Sequence, residues 1–199
     1  MVKPILFNSD MVRAILDGRK TVTRRVVKGF IPNNALWGYT AFTPKGHISC
    51  RGDNGKEYGE KFYKLPYQID DIMYVRESYA AWSRTEGTMP TLHYKADEED
   101  LPNVKWKPSI HMPKEAARIF LRVTNVSVAR LQDITTKDMQ KEGLTSMAVF
   151  AGDKEIARQE WALLWNSTIP GKDYNKYCFS ANPWVWIIEF ERTEKPEDF

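Results

Sequence analysis

Apolar residues recur at helical spacing over residues 9–17, where Met11 and Ile15, with Val12 and Leu16, form a stripe. The spacing predicts a short helix capped by Ser9, and Gly18 suits the left-handed position that ends it. Residues 21–27 then alternate and are rich in β-branched side chains, which predicts a strand. One face of it carries Thr21, Thr23 and Arg25, the other Val22, Arg24 and Val26. From 30 to 66 the pattern predicts short strands at 36–42, 47–51 and 60–65, punctuated by Pro44, Gly46, Gly52, Gly55 and Gly59. A clearer strand covers 72–79, a loop 84–90, a brief strand 92–95 and an exposed turn 98–100. Prolines at 108 and 113 favour extended backbone between them. A long strand follows over 118–131, with an irregularity at Thr124-Asn125. Helices are predicted from Thr135 or Thr136 to about Glu142, stopped by Gly143, and over 153–165 with Ile156, Trp161, Leu164 and Trp165 near one face. The last strand, 183–191, is unusually apolar, and Trp184 and Trp186 share its core-facing side.

Strands dominate and no regular β-α-β alternation appears, so the order predicts an α+β fold: a small mixed β-barrel with flanking helices. A single domain over residues 1–193 is expected, with a loose tail at 194–199. With 199 residues, 42% hydrophobic and 13% aromatic, the chain has the bulk for a real core. No apolar run reaches the roughly 18–20 residues that span a bilayer, and the N-terminus turns polar too soon for a secretory signal, so the expected compartment is the cytoplasm. Two distant cysteines, Cys50 and Cys178, and three scattered histidines offer neither a disulfide framework nor zinc-ligand spacing; no metal or cofactor is implied.

The formal net charge of +3 is modest, but its distribution is uneven. Seven basic side chains stand against Asp10 and Asp17 in residues 1–30, while acids prevail after residue 182. The densest chemistry is Gly18-Arg19-Lys20-Thr21-Val22-Thr23-Arg24-Arg25-Val26. Lysine supplies a point charge, arginine a bidentate fork and threonine a small donor–acceptor, while glycine allows a turn and a close ligand approach. Such a cluster suits a phosphate or a polar heterocycle; the alternative is a basic turn paired with acids such as Glu77.

Gly18-x-Lys20-x-x-Thr23-x-Arg25 resembles the G-x-K-x-x-T-x-R signature of the ASCH domain family, relatives of the PUA-like RNA-binding barrels. Residues 71–77 resemble that family's strand after a G-D turn, 118–131 with 135–144 its strand-then-helix unit, and 184–190 its closing strand. The resemblance implies a PUA-like barrel with RNA or a nucleotide bound in a cleft beside the signature. It also points to small bacterial amidohydrolases that remove the acetyl group from N4-acetylcytidine. By position, their catalytic residues correspond to Lys20, Thr23 and Glu142. In that chemistry Thr23 serves as nucleophile, Lys20 as the base whose pKa burial lowers, and Glu142 as acid/base for the leaving amine or water. This chain is about twice as long as those enzymes, with extra material near 30–68 and 80–112, and carries Asp70 where the turn glycine stands. Larger chains of this type resemble phage- or prophage-associated proteins.

Gly18, Arg25, Arg76, Glu77 and His111 are the candidate substrate-binding residues, and Glu77 is the alternative to Glu142 as the key carboxylate. Ser109 and His111 invite a hydrolase reading but lack an orienting acid, so His111 is expected to line the cleft. Trp82 and Trp106, in polar surroundings, are candidates for base stacking or for packing at the core's edge. Strand facing further predicts that Lys20 matters more to function than Arg24. Two functions remain: a binding module for RNA or a modified nucleotide, and an amidohydrolase acting on an N-acylated nucleoside.

Overall fold

The computed structural model describes residues 1–29, 31, 35–39, 41, 43–51, 60–83, 89, 91–97, 104–197 and 199. The loop expected at 84–90, apart from Met89, and the turn at 98–100 lie outside the described residues.

Near the N-terminus, strand β1 (Val2–Leu6) hands over to helix α1 (Ser9–Leu16). The cap is Asn8, one residue before the expected Ser9: its side-chain oxygen accepts the Met11 backbone N–H at 2.9 Å. Val12, Ala14 and Ile15 are buried, and Gly18 ends the helix at φ +72°. The chain turns directly into β2 (Val22–Val26).

The main sheet is mixed and five-stranded, ordered β1-β6-β9-β10-β2, where β6 is Ile72–Arg76, β9 Phe120–Arg130 and β10 Trp184–Thr193. β1 runs parallel to β6, and the other pairings are antiparallel. The expected irregularity is a bulge: Glu189 pairs with Asn125 and Phe190 with Val123, so Thr124 is the extra residue. Among the described residues hydrogen bonding does not close the sheet, so the expected small barrel is an α+β sheet with a seam between its edge strands β1 and β2. The edges nonetheless approach each other, because Arg25 of β2 donates from Nη2 to the Leu6 carbonyl of β1 at 2.9 Å.

One face of the sheet buries Ile5, Phe7, Val75, Leu121, Trp186 and Ile188 together with Val12 and Ile15 of α1. The segment from 30 to 68 contributes a second sheet of β3 (Leu36–Gly38), β4 (His47–Arg51) and β5 (Glu60–Lys64), whose Trp37, Ile48 and Tyr63 pack onto this core. Trp37 meets Trp184 and Trp186 edge-on, at ring-centroid distances of 5.6 and 6.1 Å. The opposite face, with Leu131 and Val185, packs against α2 (Thr136–Lys141), α3 (Met147–Ala151) and α4 (Lys154–Ser167). In α4 the buried stripe is Ala157, Trp161 and Trp165, at i, i+4 and i+8; Ile156, expected on that face, is one helical step away and 49% exposed. A short helix, α5 (Tyr174–Tyr177), follows α4. A two-stranded hairpin, β7 (Tyr79–Trp82) with β8 (Thr91–Tyr94), covers a third cluster around Met112 and Phe120. The expected extended segment between the prolines contains one 3-10 turn, Ser109–His111. The C-terminal tail, expected loose, is held at its last residue: the Phe199 ring packs edge-on against Phe120 and Tyr74.

Asp70 occupies the glycine position of its turn at φ +67°, a conformation that short polar side chains tolerate. Asp70→Gly is therefore expected to leave the urea midpoint nearly unchanged. Asp70→Val, which is β-branched and cannot hydrogen-bond locally, should lower stability by about 1–2 kcal/mol; equal midpoints for the two variants would show that the turn relaxes.

Candidate functional site

The turn after α1 and the capping of α2 together assemble a buried ion cluster. Gly18 lets the chain reverse, so that Lys20, two residues before β2, has its side chain fully buried. α2 is fixed by a capping box in which Thr135 and Asp138 satisfy each other's backbone N–H groups. Its C-terminal residue, Glu142, then points back toward β2. The Lys20 Nζ donates to Glu142 Oε2 at 2.5 Å and to the Glu142 carbonyl at 3.0 Å. Arg24 Nη1 donates to Glu142 Oε1 at 3.0 Å, and Arg24 also approaches Asp138 at 3.7 Å. All three side chains are at most 4% exposed. Burial pulls the Lys20 ammonium below its ordinary value, with Glu142 working in the opposite direction.

Glu142 thus stands against Lys20. Arg24 shares that carboxylate, so strand facing does not separate it functionally from Lys20; the two residues share the parity of positions 20, 22 and 24. Arg24 was legible only as one more member of the basic run.

Thr23 is buried on the other face of β2, where its Oγ1 accepts a hydrogen bond from Arg25 Nη1 at 2.9 Å. Arg25 also donates to the Arg24 carbonyl and lies over the Phe7 ring, 5.2 Å from its centroid; the Lys20 ammonium lies 5.7 Å from the same centroid. Arg25 therefore links Thr23, the β1 edge and the aromatic core at one point.

Beside this point a cleft of about 740 Å³ opens along the seam, within the size range of small-molecule sites. Leu6, Phe7, Arg24, Arg25 and Val26 contribute from the two strand edges, and Lys28 from just beyond β2. Tyr67, Ser109 and the stretch from Ser167 to Tyr177 between α4 and α5 supply the other walls. Lys20, Thr23 and Glu142 are not among its lining residues. Of the three, Thr23 bonds directly to the lining residue Arg25.

The remaining candidates are dispersed. Gly18 is exposed, with open space where a Cβ would stand, so it serves as the helix stop and not as a point of close ligand approach. Glu77 is buried but pairs with Arg118, Nε to Oε1 at 2.9 Å and Nη2 to Oε2 at 3.1 Å, and not with the basic motif. Burial raises its carboxyl despite that partner. Arg118 also contacts Asp97, making Glu77 part of a separate ion network that binds the start of β9 to the hairpin region. Arg76 donates to the Ile110 carbonyl and does not line the cleft. His111 is exposed in its 3-10 turn, and its neighbour Ser109 is the residue that lines the cleft. Trp106 is half-buried and away from the cleft lining; the side chain of Trp82 lies outside the described residues.

Among the described residues, no group of three or more His, Cys, Asp or Glu could hold a metal ion, and no helix is long and apolar enough to cross a membrane. Both cysteines are free and buried.

Nothing matches this chain among family models or curated proteins. Among solved structures, one similar chain is the crystal structure of an ASCH domain from Lactobacillus crispatus JV V101. The chain is similar to an ASCH domain. The alignment covers 96% of this chain and 79% of that one, with 13% identity and a TM-score of 0.38.

Proposed function

We propose that this chain is an ASCH-type domain that binds RNA or a modified nucleotide in the cleft at the β1–β2 seam. The observation that carries the reading is the cleft itself: about 740 Å³, beside the G-x-K-x-x-T-x-R motif, with Arg24, Arg25 and Lys28 on one side. The buried cluster sets Lys20 and Arg24 against Glu142, with Asp138 3.7 Å from Arg24, and at the cleft wall Arg25 and Lys28 outnumber Asp173. A net positive site of this kind attracts a phosphate, while Tyr67 and Tyr177 offer ring surface to a base.

The reading is tested by titrating the protein with cytidine monophosphate, N4-acetylcytidine and a short single-stranded RNA at two salt concentrations. RNA affinity should fall as salt rises. Arg25→Ala should weaken binding of the monophosphate by about 10–100-fold, the worth of a charge-assisted hydrogen bond, and Lys28→Ala by less. If none of the three binds, the reading fails.

The second reading, an amidohydrolase of N-acylated nucleosides, is favoured by one observation: the 2.5 Å contact between Lys20 and Glu142, with the lysine pKa lowered. Against it stands the burial of all three reactive groups, none of which lines the cleft. Release of cytidine from N4-acetylcytidine by the wild-type protein, lost in Lys20→Ala and Thr23→Ala variants that remain folded, would establish catalysis.

A further inference from the structure

The cleft lies between two strand edges, and those edges carry backbone groups of their own. In β2, Val27 donates to Trp184 and Phe190 donates to Thr21, so residues 21, 23, 25 and 27 turn their peptide groups toward β10. Val22, Arg24 and Val26 turn theirs toward the seam. In β1, Phe7 donates to Arg76 and Met1 accepts from Ile72, so residues 1, 3, 5 and 7 serve β6. Val2, Pro4 and Leu6 face the seam from the other side.

Three of these seam-facing carbonyls are already taken. Pro4 has no N–H, and its carbonyl accepts from Tyr67 Oη at 2.8 Å. The carbonyls of Leu6 and Arg24 both accept from Arg25. What remains at the cleft wall is the Leu6 N–H on one edge and, on the other, the Arg24 N–H and the N–H and carbonyl of Val26, none with a partner among the described residues.

We infer that the cleft recognises the flat, hydrogen-bonding edge of a nucleobase through these main-chain groups, Leu6 N–H and the Val26 N–H and carbonyl, with Arg25 beside them for an anionic substituent. This rests on the nucleotide-binding reading and deepens it by naming the groups that read the base. An extended peptide added as a sixth strand is disfavoured by the same observations. It needs donors and acceptors at every second residue of an edge. Here the acceptors of Pro4, Leu6 and Arg24 are occupied and the donor of Pro4 is missing. A compact ring with one donor–acceptor edge needs no such continuity. Main-chain readout also explains why base-recognising side chains were not legible in the sequence.

The position of Leu6 permits a clean deletion. Its N–H faces the seam and takes no part in the β1–β6 ladder, so Leu6→Pro removes one donor and leaves the sheet's hydrogen bonds in place. Pro4 already occupies the equivalent site two residues earlier. Leu6→Pro is expected to keep a melting temperature near that of the wild type and to bind cytidine monophosphate about tenfold more weakly, with inorganic phosphate binding unchanged. In parallel, the amide signals of Leu6 and Val26 in the wild-type protein should shift downfield on titration with cytidine monophosphate and stay in place on titration with phosphate alone. If the nucleotide binds, Arg25→Ala weakens it, and neither amide moves, the inference fails while the nucleotide-binding reading stands. If a strand-forming pentapeptide moves both amides and the nucleotide does not, the seam is a peptide site and both fail. Should Leu6→Pro not fold, the amide shifts of the wild-type protein decide alone.

Discussion

Glu142→Gln is expected to lower the melting temperature by about 6–20 °C, whatever the protein binds. The carboxylate holds Lys20 and Arg24, both with side chains almost wholly buried, and its neutral isostere leaves two cations without a matching charge. Breaking a buried ion pair by removing one partner costs about 3–5 kcal/mol. For a chain of this size each kcal/mol corresponds to roughly 2–4 °C. Asp138 sits 3.7 Å from Arg24 and is one-third exposed, so it compensates little. Adding Lys20→Met to Glu142→Gln should recover part of the loss, because an uncompensated buried charge is then removed. A melting temperature within 2 °C of wild type for the single variant would show that water reaches the cluster and screens it. The consequence for function is direct. Loss of activity in a Glu142 variant is uninterpretable as proton transfer unless the fold is first shown to survive.

Gly143→Ala is expected to be nearly as damaging, by a different route. Gly143 follows Glu142 at φ +99°, where an L side chain is strained, and a Cβ there would lie 2.8 Å from the Cβ of Ala14 in α1 and 3.4 Å from that of Lys20. The strain is worth about 1–2 kcal/mol and the overpacking about 1–3 kcal/mol, so the sum is roughly 2–5 kcal/mol. Gly18→Ala is the built-in control, since it shares a positive φ of +72° but has nothing within 4 Å of its would-be Cβ. The difference between the two denaturant midpoints therefore isolates the contact between the end of α2 and α1. Equal midpoints would mean that α2 can shift outward, and the Lys20–Glu142 contact should then lengthen.

These two residues show how much of the site was legible. Gly143 reads from the sequence as a helix stop, and it is one. That it is also the spacer that seats α2 on α1, and so aims Glu142 at Lys20, depends on two segments about 125 residues apart. Arg24 appeared as one charge in a basic run; its membership of the cluster follows from the carboxylate that α2 brings over. Glu77, read as a partner for the basic turn, pairs instead with Arg118, whose position just before β9 carries no local signal.

The sequence by itself determined the local elements, because they answer to local physics. The strand periodicity of β2, β6, β9 and β10, the bulge at Thr124, the Gly18 and Gly143 stops and the α+β order all follow from side-chain spacing and backbone preference. Lys20, Thr23 and Glu142 were singled out by their positions in the resemblance to the ASCH signature and its strand-then-helix unit. Only the tertiary structure decided which of them meet, and which face open space. The seam between β1 and β2, the bridging of that seam by Arg25 and the burial of Lys20, Thr23 and Glu142 arise from long-range pairing. Hydrogen bonds between strands far apart in the chain leave no mark on residue identity, since every non-proline residue carries the same backbone donor and acceptor. The identity of the free edge, and with it the cleft, is therefore a property of the fold alone.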